Sequence, residues 1–309
     1  MYLCDANLGK FYRMKISSHT LRTIAMPVGM LVGALFCYPI TALDEWSGAI
    51  LTPIFIFSML FCTFCGVNIK DMRPSWLHLW LMVAQIVGSL VVYYALLPLG
   101  SIVAQGGMIC ALTPMAMGAV VIGGMLGANV ATMATHSLLC NIITAFIAPP
   151  IISMAGSGTC TIAEILARVA PLLIGPFFVA QLCRWTMPKV AGWFANHSML
   201  SFYIWLLSLV VIMGKTTYFI IESGTEHIVT ELLLAGAALV ICLVQFWVGR
   251  RLGERYGDGV AGGQALGQKN TLLAIWLSQA FLHPLACIAP TAYIVWQNIV
   301  NSYQIYKKR

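Results

Sequence analysis

From about residue 20 to about residue 306 the chain is a succession of apolar runs, each close to the thickness of a bilayer and separated by short turns. In hydrocarbon every backbone N–H and C=O has to be satisfied inside the protein, and roughly 20 apolar residues are the length of one helical span. Ten such runs can be counted, at about 20 to 42, 46 to 68, 76 to 98, 102 to 127, 129 to 154, 162 to 184, 199 to 221, 228 to 249, 259 to 282 and 284 to 306. With 60% hydrophobic and 9% charged residues, the chain has the composition of an all-α polytopic membrane protein and not of a soluble domain.

An even number of spans places both termini on one side, and basic residues mark that side as cytoplasmic. With cytoplasmic termini, the inner segments hold Lys10, Arg13, Lys15, Arg22, Lys70, Arg73, Arg184, Lys189, Arg250, Arg251, Arg255, Lys307, Lys308 and Arg309, which is 14 of the 17 basic residues. Asp44, Glu45, Glu164, Glu222, Glu226 and Glu231 fall towards the outer side. The net charge of +7 is therefore a topology signal with the lipid bilayer as partner, and gives no reason to expect nucleic acid. The expected location is a bacterial-type inner membrane. No short apolar stretch with a small-residue cleavage site opens the chain, so the first span is expected to act as the insertion signal. The ten cysteines are scattered, mostly within spans, which argues against a disulfide framework. Cys62 and Cys65 form a C-x-x-C inside an apolar helix, where two polarizable packing residues are the expected reading.

Ten spans divide into five and five, and an odd number per half makes the second half inverted relative to the first. Two spans are interrupted at corresponding places: span 4 by Thr113-Pro114, and span 9 by Gly263-Gln264-Ala265-Leu266-Gly267-Gln268-Lys269-Asn270-Thr271. Gln85 in span 3 and Gln245 in span 8 also correspond. Paired broken helices of this kind point to a transporter's binding site. Thr113 is a good N-cap and Pro114 a good first helical residue, so a half-helix is expected to start at Pro114. Asn270 or Thr271 can cap a second half-helix running through Leu272 to Leu282. Each start presents free N–H groups and the positive end of a helix dipole. The competing reading is two ordinary kinks. Gly123 and Gly127 form a small-x-x-x-small packing pair with Gly118 and Gly124 nearby. The G-x-G-x-x-G at Gly257, Gly259 and Gly262 lacks the strand and turn of a dinucleotide site.

The whole span pattern resembles the bile acid:sodium symporter family. The likeness is most specific from Thr113-Pro114 through Asn129-Val130-Ala131 to Ala148-Pro149-Pro150, in Ala265-Leu266-Gly267-Gln268-Lys269-Asn270 (similar to the family's Glu-x-Gly-Met-Gln-Asn), and in Val295-Trp296-Gln297-Asn298-Ile299 (similar to Val-Trp-His-Asn-Ile). The resemblance implies ten transmembrane helices in two inverted five-helix repeats, with discontinuous, crossing helices 4 and 9. It implies a single transporter unit over 1–309, with a core at about 76–154 and 228–306 and a panel at about 20–68 and 162–221. The departures fall on the family's sodium ligands. A Ser-Asn pair of span 4 is Ala119-Val120 here, a serine of span 5 is Met133, and Ser137 stands where the family has threonine. The carboxylate shared by the two sodium sites is Ala265. Gln85 matches a glutamine ligand, but that site's other glutamine is Lys269. The family's loaded site sums one carboxylate and two sodium ions to +1, and Ala265 with Lys269 gives the same sum. The lysine ammonium is thus expected to replace the bound cations.

A charge at the middle of a span costs roughly 2.5 to 3.5 kcal/mol, and no carboxylate in the sequence falls at the depth of Lys269. Helix C-terminal carbonyls, amide oxygens or an anionic substrate have to face it; a purely structural lysine and a proton-carrying lysine are the alternatives. The candidate substrate- and ion-binding residues are Gln85, Thr113, Pro114, Asn129, Ser137, Gln264, Gln268, Lys269, Asn270, Thr271, Gln297 and Asn298. Lys215, without an obvious partner, is expected to snorkel towards the outer face. His136 and His283 are expected to be hydrogen-bonded packing residues, with no ligand-spaced partner for a metal. Neither Gly-x-Ser-x-Gly nor His-Glu-x-x-His occurs, so no catalytic residue and no cofactor is expected. The reading is a secondary transporter of an organic anion, bile-acid-like or a small carboxylate, with altered or absent sodium coupling. A sodium- or proton-coupled symporter and a non-transporting sensor remain the alternatives.

Overall fold

The computed structural model describes residues 28–66, 72, 74–116, 118–156, 161–223 and 227–308. The start of span 1, the basic residues Lys10, Arg13, Lys15, Arg22, Lys70, Arg73 and Arg309, and Glu226 lie outside the described residues. Among the described residues the protein is helical, with no β-strand: α1 (Val28–Leu35), α2 (Cys37–Trp46), α3 (Leu51–Cys65), α4 (Trp76–Leu96), α5 (Ser101–Leu112), α6 (Gly118–Leu126), α7 (Val130–Ala155), α8 (Ile162–Thr186), α9 (Pro188–Asn196), α10 (Ser198–Ser223), α11 (Ile228–Glu254), α12 (Gly259–Gly267), α13 (Thr271–Phe281) and α14 (Ile288–Lys308). Four stretches are long and apolar enough to cross a membrane: Trp76–Leu99, α7, α8 and α11, with the α1–α2 pair a fifth if its halves count as one span.

The helix boundaries follow local chemistry. The Thr161 backbone N–H donates to Glu164 Oε2 at 2.8 Å while Thr161 Oγ1 accepts from the Glu164 N–H, a capping box that opens α8. Asp258 opens α12 by accepting from the Ala261 N–H at 2.8 Å. The first span is not the straight run expected from sequence: α1 and α2 meet at 78°. The amphipathic helix α9, which no expectation placed, joins α8 to α10.

Helices α2, α3, α8, α9 and α10 pack on one another, as do α4 to α7 with α11 to α14. The closest approach is α11 on α12, where a side chain on Gly249 would strike the Gly262 carbonyl and one on Gly262 would strike that of Gly249. Gly262 of the dismissed G-x-G-x-x-G is thus a packing glycine. Gly127 is not part of a helical small-residue pair as expected. It lies beyond the end of α6 at φ +89, a conformation that favours glycine.

The panel side holds another departure. Lys215 on α10 has a partner that the sequence did not show: its Nζ lies 2.6 Å from Asp44 Oδ2 on α2, with the Asp44 side chain only 1% exposed. The buried carboxylate draws the amine inward, because either charge left alone there would be far costlier than the pair.

Candidate functional site

Both interrupted spans are broken, and they cross at their breaks. Helix α5 ends at Leu112, and Thr113 leaves in an extended conformation with φ −61 and ψ 146. Helix α12 ends at Gly267, and Gln268 is likewise extended. The two loose segments pair as a minimal antiparallel bridge, Met115 opposite Lys269. The Ala116 N–H donates to the Gln268 carbonyl at 2.9 Å, and the Asn270 N–H to the Pro114 carbonyl at 2.8 Å. Backbone groups that a broken helix would leave unpaired at this depth are therefore satisfied by the other break.

The half-helix starts differ from expectation on one side. Asn270 caps α13, its Oδ1 accepting from the Leu273 N–H at 3.2 Å. Thr113 caps nothing ahead of it, because its hydroxyl donates back to the Ile109 carbonyl at 3.0 Å. Pro114 to Ala116 stay extended against residues 268–270, so α6 begins at Gly118 and not at Pro114. Threonine inside an apolar interior finds the i−4 carbonyl of its own helix nearer than any N–H downstream.

Lys269 is 1% exposed and points its ammonium at the carbonyl end of α5, donating from Nζ to Ala111 at 2.9 Å. The next carbonyl, Leu112, accepts from Gln85 Nε2 at 2.7 Å. Gln85 is completed by Thr144 Oγ1 at 3.1 Å and by the Cys140 thiol, which donates to its Oε1 at 3.1 Å. A cation thus sits where the α5 dipole is negative. The other break is finished in a related way. The Tyr293 hydroxyl lies 2.8 Å from the Gly267 carbonyl and 2.9 Å from Gln245 Oε1. One hydroxyl proton serves one acceptor, so a half-turn of the Gln245 amide lets it donate to the hydroxyl while the hydroxyl donates to Gly267. Gln85 supports the carbonyl end of α5 directly, and Gln245 that of α12 through Tyr293. From α14, Gln297 Oε1 accepts the Lys269 backbone N–H at 3.0 Å.

The crossing therefore gathers Gln85, Thr113, Pro114, Gln268, Lys269, Asn270, Thr271 and Gln297. Two polar atoms there, Gln268 Oε1 and Asn270 Nδ2, are buried without a partner. Gln264 lies a turn earlier, bound through Nε2 to Asn301 Oδ1 and Gln304 Oε1, both at 3.0 Å. Ser137 is buried on α7. Asn298 turns back on its own helix, donating to the Ile294 carbonyl at 2.6 Å. Asn129 is far from the crossing: it is exposed at the opposite end of α6, where it caps α7 through Thr132 at 3.1 Å and donates its own N–H to Asp258 Oδ2 at 2.8 Å. Its side chain is used up by the α7 N-terminus, the same role that misled the reading of Thr113 in reverse. Sequence reasoning missed Tyr293, which as the largest fully buried side chain carries a hydroxyl that needs a partner.

An apolar groove of about 810 Å³ runs between α4 and α11, lined by Val83, Val87, Val240 and Val244 and reaching Ala111 and Gln245. Its walls suit hydrocarbon. The charged and amide groups lie at the crossing instead.

A helical protein with bilayer-length apolar helices and two broken helices crossing at a buried ammonium is a multi-pass membrane transporter in class. The chain belongs to the SBF-like CPA transporter family, whose model matches residues 40–299, and this is the bile acid:sodium symporter family that its motifs resemble. No curated protein matches the chain.

Proposed function

We propose that this chain is a secondary transporter that binds an organic anion, bile-acid-like or a small carboxylate, at the crossing of α5–α6 and α12–α13, with Lys269 in place of bound sodium. The observation that carries the reading is the buried Lys269 ammonium on the Ala111 carbonyl. A helix C-terminus offering carbonyl oxygens beside the Gln85 amide is the kind of oxygen-rich, negative corner that a cation fills. Here the side chain supplies the cation. Among the described residues no carboxylate pairs with it, so its charge is left for a solute. The α13 N-terminus and the unpartnered Asn270 Nδ2 add donors immediately after Lys269 in the chain.

The ten-span, inverted-repeat arrangement belongs to the same proposal, and the matching roles of Gln85 and Gln245 support it. So does the division into a core of spans 3 to 5 and 8 to 10 and a panel of spans 1, 2, 6 and 7, about whose boundary access would alternate. The sign of Arg250, Arg251 and Arg255 beside the α12 start favours cytoplasmic termini in an inner membrane. Counterflow of a labelled carboxylate in proteoliposomes held in sodium-free choline buffer tests the function. Exchange at undiminished rate is expected. A strict sodium requirement would refute the role of Lys269, and binding without exchange would make the protein a sensor.

A further inference from the structure

His136 departs from its expected role as a hydrogen-bonded packing residue. It is 1% exposed, yet neither ring nitrogen has a hydrogen-bond partner. A neutral imidazole carries one donor and one acceptor, and no protein group meets either one here. The ring is nonetheless held in position. It stacks on His78 with centroids 5.9 Å apart and planes 19° from parallel. His78 is itself fixed, with Nδ1 accepting from the Ser75 N–H at 2.8 Å and Nε2 donating to the Thr132 carbonyl at 3.0 Å.

The register of α7 connects this ring to the crossing. Thr132, His136, Cys140 and Thr144 recur every fourth residue and so share one face. That face meets α4, through His78 at one end and Gln85 at the other. Gln85 in turn holds Leu112 next to the carbonyl that carries Lys269. His136 therefore lies one helical turn from the level of Cys140 and Gln85, about 6 Å along α7.

We infer that the solute site extends along α7 to His136, which hydrogen-bonds a second oxygen of the bound anion. This rests on the anion site proposed above and narrows its substrate class. The solute is a short carboxylate bearing a hydroxyl or carbonyl oxygen at its far end. The carboxylate faces Lys269, and the second oxygen faces the imidazole.

The probes are 4-hydroxybutyrate and pentanoate, which differ by a hydroxyl against a methyl at the far end. Their affinities are measured by calorimetry on the full-length protein in detergent, for wild type, His136→Phe and His136→Gln. Wild type is expected to prefer 4-hydroxybutyrate at least tenfold, His136→Phe to lose that preference to within threefold, and His136→Gln to keep most of it. A merely structural histidine would weaken both probes equally, and that result overturns the inference while leaving the anion site standing. Failure of wild type to bind either probe overturns this inference, while the anion site stands or falls by the counterflow assay above. Should His136→Phe not fold, the ¹⁵N signals of the wild-type imidazoles decide. The His136 signal shifts with 4-hydroxybutyrate and not with pentanoate, and a signal unmoved by both refutes the contact.

Discussion

Replacing Lys269 with glutamine separates its charge from its hydrogen bond. Glutamine can still donate to the Ala111 carbonyl, now held at 2.9 Å, so the α5 terminus stays satisfied. The variant loses a charge-assisted bond, worth about 1.5 to 3 kcal/mol, and also sheds a mid-span charge whose insertion costs about 2.5 to 3.5 kcal/mol. These terms nearly cancel, so the melting temperature is expected to change little. Binding is different. An anion in contact with the ammonium, at a centre separation of about 4 Å, gains about 4 kcal/mol at an effective dielectric of 20. The α5 carbonyl end, carrying about half a negative charge, offsets up to half of this. The expected loss is about 2 to 4 kcal/mol, or roughly 30- to 700-fold in affinity. Anion titration by calorimetry beside a thermal melt reads both quantities on one sample. A Lys269→Gln protein that binds and exchanges its carboxylate like wild type would refute the electrostatic argument. A protein that fails to fold would show the lysine to be structural.

Four further outcomes follow from the same geometry. The double variant Ala265→Glu with Lys269→Gln restores the carboxylate and amide that the family pattern carries, and its uptake is expected to become sodium-stimulated, as comparison of sodium with choline buffer would read. Asp44→Asn leaves Lys215, part-buried at 20% exposure, without its counter-charge and is expected to lower stability, by less than the ~3 to 5 kcal/mol of a fully buried broken pair; pairing it with Lys215→Met should recover much of that loss in a double-mutant cycle of thermal stabilities. Gly267→Ala places a methyl against the Phe246 ring, with about 1 to 3 kcal/mol of overpacking that Phe246→Leu is expected to relieve in a detergent melt. Asn270→Ala removes the α13 cap on Leu273, costing about 1 kcal/mol and lowering anion affinity more than it lowers stability.

What could be read from the chain was what local pattern encodes. The apolar runs gave the helices, and Pro114 and Gly267 gave the places where two of them had to stop. Asn270 was legible as a cap because its acceptor needs are met three residues ahead. Thr113 was misplaced because its hydroxyl had two chemically equivalent choices, and an apolar interior favoured the carbonyl behind it. Lys215 looked partnerless because Asp44 lies on a distant helix, and pairing across such separations leaves no periodic trace. The same holds for Lys269 and Ala111, which are 158 positions apart. Pro188 opens α9 and Pro39 lies just past the bend between α1 and α2, but prolines also sit inside the unbroken helices α7 and α8, so a proline alone did not announce either break. His136 was read as ordinary packing because a sequence shows what a side chain can bond, and not whether anything is there to bond it.

The paired strands at the crossing have a mechanical meaning. Two short hydrogen bonds fasten Pro114 to Asn270 and Ala116 to Gln268, like a rivet through the blades of scissors. Four half-helices hinge on that rivet, and whatever leaves it intact must carry all four together as one lever. In the alternating-access cycle proposed above, large displacement is then left to the seam where this lever meets the helices around α10, so a crosslink across that seam is expected to stop transport while one inside the lever leaves it unchanged.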